Sequence, residues 1–138
     1  QQLKESISVK KLTKHVAMVG ASDRIAEYLS RSDVFVLSSI AEGIPMTILE
    51  AMSAHTPVIS TAVGGIPQVI SDNVEGKLVV NRNAKALAQA MSEYLKDPHL
   101  VAIHGKAART KVVEKFNEQK MVEAYIKSYQ QVLGKGHS

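Results

Sequence analysis

The sequence predicts an α/β fold in which helices cover both faces of a parallel sheet. Short apolar runs alternate along the chain with longer segments in which apolar residues recur every three or four positions. The connections are short, and this alternation is typical of strand–helix–strand units with parallel strands. Since Val16–Val19 and Val34–Leu37 are apolar throughout, we expect these strands to be buried on both faces. The predicted architecture is Rossmann-like.

The N-terminal part of the chain predicts two helices and two strands. Residues 1–9 have the apolar spacing of the end of an amphipathic helix. Val16–Val19, closed by Gly20, is predicted to be a short buried strand. Ser22–Asp23 are residue types that cap helices, so a short helix is expected to follow them. Val34–Leu37 is the clearest strand because it is β-branched, aromatic and short.

The middle of the chain predicts two strand–turn–helix units. Pro45 stands at the first position of a helix that extends to about Ala54, and proline loses no hydrogen bond there. Pro57–Thr61 is predicted to be a strand whose proline stands at its first residue, where strands tolerate it. Gly64–Gly65 then form a turn into a short helix over residues 67–70.

The C-terminal half predicts one strand and then helices alone. Lys77–Val80 is the fourth apolar run. From about residue 84 to residue 133 the spacing is helical, with a break at Asp97–Pro98 and a further helix capped by Asn117. The whole chain, residues 1–138, is therefore interpreted as one α/β unit with C-terminal helices.

Composition excludes several classes of protein. No cysteine occurs, which excludes a disulfide scaffold, a thiolate zinc site and a cysteine nucleophile. The formal net charge of +4 would suit an anionic partner, but lysines spaced among apolar residues are more typical of solvated helix faces. Few aromatic residues are present to stack on bases, so no nucleic-acid partner is expected. We expect neither a signal peptide nor a membrane-spanning segment.

Two glutamates mark the predicted functional site. Glu42 lies in the turn before the central helix, Glu50 lies in that helix, and seven residues separate them. The turns at Glu42 and at Gly64 both follow predicted strands, so they lie at the same edge of the sheet, where ligands of such folds bind. Both turns enter helices, whose N-terminal amides favour anions.

The spacing of the glutamates indicates what they would bind. A helical rise of 1.5 Å per residue puts them roughly 10 Å apart, which is too far for a paired carboxylate centre. It suits the two ends of a nucleotide sugar, with the diphosphate over the amides between them. A single glutamate near a helix N-terminus would more often be structural, because the helix dipole alone favours it. The presence of both glutamates together with two glycine turns favours a functional site.

A family resemblance rests on these motifs. From about Leu3 to Leu133 the chain resembles the C-terminal, donor-binding domain of the GT-B-fold, retaining, nucleotide-sugar-dependent glycosyltransferases of the group 1 family. The matching segments are Glu42-Gly43-Ile44-Pro45-Met46-Thr47-Ile48-Leu49-Glu50-Ala51-Met52, Pro57-Val58 and Val63-Gly64-Gly65-Ile66-Pro67.

The resemblance implies a role for each matching residue. Glu42 would be the catalytic residue that faces the donor sugar, and Glu50 would hold the ribose diol. The remaining donor-binding residues that the resemblance implies are Gly20, Gly43, Ile44, Pro45, Met46, Gly64 and Gly65. Pro45 departs from the glycine common in the family and removes one N–H donor. His55 also replaces a frequent glycine, and we interpret it as a structural substitute that closes the helix in a left-handed turn.

Parts of the family's enzymes have no counterpart in this sequence. Their C-terminal domain begins with two strands, carrying an arginine and a lysine that neutralise the diphosphate, and an N-terminal domain binds most of the acceptor. We therefore interpret the chain as a fragment that is inactive alone, from a glycosyltransferase acting on a polysaccharide or lipid-linked acceptor. The donor is a nucleoside diphosphate sugar; no metal or other cofactor is expected. We expect the parent enzyme in the cytoplasm, with attachment to the inner face of the membrane left open.

Two other functions stay open. A non-catalytic Rossmann-like interaction module would keep the fold, lack nucleotide affinity and form a homo-oligomer through an exposed strand edge. A GT-B nucleotide-sugar epimerase would share the donor but need no acceptor. The sequence carries neither a phosphate-loop nor a dinucleotide-binding signature, so ATP hydrolysis and NAD binding are not expected.

Overall fold

A three-stranded parallel sheet in the order β1–β2–β3 forms the centre of the fold. The computed structural model describes residues 2–117 together with residues 119, 120, 122 and 126. The strands are β1 (Phe35–Leu37), β2 (Val58–Thr61) and β3 (Gly76–Val79). The helices are α1 (Gln2–Val9), α2 (Ile25–Ser30), α3 (Met46–Ser53), α4 (Ile66–Val69), α5 (Ala84–Lys96) and α6 (His99–Lys115).

Helices pack on both faces of this sheet, as the sequence predicts. Alternate residues of a strand point to opposite faces. Val58 of β2 accordingly packs in a core cluster with residues of α3, α4 and α6. Ile59 packs in a second cluster with Ala90 and Tyr94 of α5. All four residues of β2 are buried because this strand has a neighbour on each side and helices on both faces.

The prediction of a strand at Val16–Val19 is wrong. These residues have no regular secondary structure, and Val16, Met18 and Val19 are exposed. A strand needs a neighbour to pair its backbone N–H and C=O groups. Among the described residues β1 is the last strand of the sheet on that side, and it pairs with β2 alone. The apolar run therefore has no ladder to join.

Two helix starts differ from the sequence prediction. The residue preceding α2 is Arg24, which makes no side-chain cap, whereas Ser22 accepts a hydrogen bond from the Arg24 amide at 3.0 Å. The short helix α4 begins at Ile66, one residue before Pro67. The cap of α5 is Asn83, whose side-chain oxygen accepts from the Ala86 amide at 2.9 Å. Capping thus depends on local geometry as well as residue type.

The end of α3 matches the prediction for His55. This residue has a φ of 60°, in the left-handed region, directly after the helix. Its carbonyl oxygen would lie 2.1 Å from a Cβ placed on Gly105 of α6, so only a glycine allows this approach. The left-handed turn and the glycine together let α6 pack against α3, which fixes the outer layer behind the predicted site.

The predicted third C-terminal helix lies mostly outside the described residues. The side-chain oxygen of Asn117 accepts a hydrogen bond from the Lys120 amide at 2.8 Å, the contact expected of a helix cap. In the part of the chain that the structure describes, no helix combines the length and apolarity needed to cross a membrane.

Candidate functional site

The two predicted glycine turns contact each other directly. The Gly65 amide donates a hydrogen bond to the carbonyl oxygen of Gly43 at 3.0 Å. Gly64 has a φ of 54°, and a Cβ placed there would lie 1.6 Å from the Glu42 carbonyl oxygen. The positive φ and the close approach to the Glu42 carbonyl oxygen each require glycine at position 64. The structure therefore joins the turns after β1 and β2 at the carboxyl end of the sheet.

The Glu42 side chain is held within its own loop. It is half-buried, and its Oε1 atom accepts a hydrogen bond from the Ser39 hydroxyl at 2.6 Å. The buried hydroxyl of Thr61, the last residue of β2, donates to the Ser39 carbonyl oxygen at 2.6 Å. Asn81, shortly after β3, donates from its amide nitrogen to the Ile40 carbonyl oxygen at 3.2 Å. Residues beyond all three strands thus position this loop.

The N-terminus of α3 opens beside the Glu42 loop. Pro45 precedes the helix in an extended conformation and makes no side-chain cap. Gly43, Ile44 and Met46 are exposed. The first turn of α3 contains no acidic residue. The Ile48 amide donates to the Pro45 carbonyl oxygen at 3.1 Å, whereas those of Met46 and Thr47 have no partner within the helix. This end of the helix is therefore suited to an anionic group.

Glu50 occupies an exposed position further along α3. Within the described part of the chain its carboxylate makes no hydrogen bond and no ion pair. It lies on a surface groove of about 690 Å³ between α2, α3 and α6, which Asp23, Met46 and Leu49 also line. The carboxylate is available to hydrogen-bond donors from a ligand.

Gly20 stands apart from this arrangement. It is exposed, has a φ of 72°, and a Cβ placed on it would have no neighbour within 4 Å. The structure thus brings together the turns that contain Glu42 and Gly64, followed by α3 with Glu50, but does not pack Gly20 against them.

Sequence reasoning missed three residues that hold the site together: Ser39, Thr61 and Asn81. Each is a polar residue at or just beyond the carboxyl end of a predicted strand. That position was the available signal, because side chains there face the ligand edge of a parallel sheet. Among the described residues no group of three or more histidines, aspartates or glutamates is placed to hold a metal ion.

An α/β unit with glycine turns meeting at the carboxyl edge of parallel strands has the architecture of a nucleotide-binding domain. A family model described as "Glycosyl transferases group 1" matches residues 1–111. The chain therefore belongs to the group 1 glycosyl transferase family. The fold predicted from the sequence, part of a GT-B glycosyltransferase, is confirmed.

Individual relatives agree with this assignment. The N-acetyl-alpha-D-glucosaminyl L-malate synthase of Bacillus anthracis is 37% identical over 118 residues, covering 86% of this chain and 31% of the relative. The sucrose-phosphate synthase of Thermosynechococcus elongatus superimposes with a TM-score of 0.87 at 31% identity, covering 98% of this chain and 34% of that structure. TarM of S. aureus, in a complex that contains UDP, gives a TM-score of 0.83 at 25% identity, over 91% and 26%. The chain thus spans about a third or less of these relatives' lengths.

Proposed function

We propose that this chain is the donor-binding part of a glycosyltransferase that moves a sugar from a nucleoside diphosphate sugar to a saccharide or lipid-linked acceptor. The observation that carries the proposal is the contact between the two glycine turns. The Gly65–Gly43 hydrogen bond places the Glu42 loop, the open end of α3 and the second turn around one edge of the sheet. The presence of UDP in the TarM complex supports a nucleotide ligand for this chain.

The proposed chemistry follows from the charges involved. Transfer breaks the bond between the anomeric carbon of the sugar and a phosphate oxygen, so negative charge grows on the departing diphosphate. The amides of Gly43 and Ile44, which precede α3, and of Met46, its first residue, would stabilise that charge. Glu42 would bind sugar hydroxyls and stabilise positive charge at the sugar. Glu50, which has no side-chain partner among the described residues, would accept hydrogen bonds from both hydroxyls of the ribose.

Other elements of the proposal rest on the family resemblance. Gly64 would approach the crevice in which the donor binds, and Gly20 would lie near the base of the nucleotide. The acceptor would bind mainly to a domain outside this chain, and no metal ion is required. The parent enzyme would work in the cytoplasm, which fractionation of cells checks directly.

A nucleotide titration of Glu50→Ala tests the proposal. Calorimetry with UDP, GDP and ADP should give heat with one nucleotide, and that affinity should fall in the variant by about 2–3 kcal/mol, or roughly 30- to 150-fold. The physical reason is the loss of two charge-assisted hydrogen bonds to the ribose.

The matched control for this titration is Glu114→Ala. Glu114 is an exposed glutamate on α6 that does not line the groove of Glu50, and its loss should leave the affinity unchanged. Nucleotide binding that is equally strong in Glu50→Ala contradicts the role of Glu50. If the folded protein binds no nucleoside diphosphate, those of cytosine and thymine included, the proposed function itself fails.

A second candidate, an interaction module, is favoured by one observation. Strand β1 pairs with β2 on one side only, so within the described residues its other edge offers unpaired backbone groups. In that function the edge would pair with a second copy of the chain, and no nucleotide would bind.

A further inference from the structure

We propose that Ser39 is the positioning residue for Glu42 and that it contributes to recognition of the donor sugar, not of the nucleotide. The inference rests on the proposed function, since it assigns Glu42 to the sugar. It adds a residue outside the pair of glutamates, and it is carried by a chain of hydrogen bonds from the central strand.

The last link of that chain fixes the carboxylate. The Ser39 hydroxyl donates to Glu42 Oε1 at 2.6 Å, a short distance typical of a hydrogen bond to an ionised acceptor. Both residues lie in a segment without regular secondary structure, so no helix or strand restrains the Glu42 side chain. The hydroxyl supplies that restraint and leaves the second carboxylate oxygen for a ligand.

The earlier link fixes Ser39 itself. Thr61 is 4% exposed and ends the central strand β2, and its hydroxyl donates to the Ser39 carbonyl oxygen at 2.6 Å. A buried hydroxyl needs a partner, so this contact is costly to break. Strand β2 thus positions Thr61, Thr61 positions Ser39, and Ser39 positions the Glu42 carboxylate.

The backbone on either side is restrained independently of Ser39. Asn81 holds the Ile40 carbonyl group, and the Gly65 amide holds that of Gly43. Removal of the Ser39 hydroxyl should therefore release the Glu42 side chain while the loop and the start of α3 stay in place. The expected consequence is weaker binding of the sugar with unchanged binding of the nucleotide.

The experiment compares dissociation constants for a nucleotide and its sugar conjugates in Ser39→Ala. Calorimetry would use UDP, UDP-glucose and UDP-N-acetylglucosamine, or the matching compounds of whichever base binds. The affinity for the preferred nucleotide sugar should fall by about tenfold while that for the nucleotide stays the same. Ser39→Thr, which keeps the hydroxyl, should restore the affinity.

A neighbouring serine provides the control. Ser38 is exposed, and its side chain makes no hydrogen bond among the described residues. Ser38→Ala should leave both dissociation constants unchanged. Equal losses for nucleotide and nucleotide sugar in Ser39→Ala would reveal a merely structural role and overturn the proposal, as would no loss at all. Wild-type protein that binds no sugar conjugate better than the nucleotide overturns it too.

A crystal structure of Ser39→Ala separates this inference from the proposed function, because it needs no ligand. The Glu42 carboxylate should leave its wild-type position while the backbone of the loop stays unchanged. A carboxylate that remains in place overturns the positioning role. Failure of the wild-type chain to bind any nucleotide would instead refute the proposed function.

Discussion

At the scale of single residues, Gly64 shows how closely the two turns of the site depend on each other. Its left-handed backbone alone disfavours a side chain by about 1–3 kcal/mol. The added methyl group of Gly64→Ala would also overlap the Glu42 carbonyl oxygen, 1.6 Å away. We expect this variant to lower the free energy of unfolding by at least about 2 kcal/mol, as measured by urea denaturation.

Gly43 is the matched control for that substitution. It belongs to the facing turn, is exposed, and a Cβ placed on it would have no neighbour within 4 Å. Gly43→Ala should therefore unfold at nearly the wild-type urea concentration. Equal stability of the two variants would show that the turns do not pack as described.

Residues of the site differ in how far the sequence could reveal them. Glu42, Glu50 and Gly64 stand out because their residue types and spacing, beside two turns that enter helices, indicate a ligand-binding edge. Ser39 and Thr61 do not stand out, because serine and threonine are common beyond strands. Their role depends on a contact between residues 22 positions apart. Such a contact exists only once the sheet register brings the ends of β1 and β2 together.

At the scale of elements, a buried pair joins α5 to α6. The Tyr94 hydroxyl lies 2.7 Å from His104 Nδ1, and both residues are buried. Burial raises the pKa of Tyr94, with smaller contributions from Asp72 and Glu93, so the hydroxyl keeps its proton. Desolvation also lowers the pKa of His104, and the nearby Lys77 acts in the same direction, whereas Asp72 and Glu75 oppose it.

This pair predicts that stability falls in acid. The pKa of His104 is lower in the folded chain than in the unfolded chain, so the unfolded chain takes up this proton at higher pH. The contribution is fully present above the ordinary histidine pKa of about 6.5 and is lost as the pH falls toward the folded value. Urea denaturation across this pH range should show that the free energy of unfolding falls as the pH falls. The slope of this free energy against pH should be smaller in His104→Asn.

His15 is the control for the pH dependence. It is an exposed histidine before the sheet, and His15→Asn should leave the slope unchanged. An unaltered slope in His104→Asn would show that other groups cause the acid sensitivity.

Element boundaries show what sequence patterns miss. The alternation of apolar runs and helical segments was sufficient to predict β1, β2, β3 and the helices of both faces. The run at Val16–Val19 has the same composition as a buried strand yet stays exposed, since its state depends on a partner that periodicity cannot supply. Local pattern therefore predicts the capacity to form a strand, and the sheet decides whether one forms.

At the scale of the whole molecule, the candidate site and the outer side of β1 occupy different parts of the sheet. The carboxyl ends of the strands carry the candidate site, whereas the outer side of β1 is unpaired within the described residues. Apolar residues are left uncovered near that side, including Met91 and Leu95 of α5, which line an apolar groove with Val34 and Val36.

The outer side of β1, which is unpaired within the described residues, predicts that the 138-residue chain associates with copies of itself. Unpaired backbone groups and an adjoining apolar groove both favour strand addition. Sedimentation velocity should show the mean sedimentation coefficient rising with protein concentration. A chain that stays monomeric throughout contradicts the prediction.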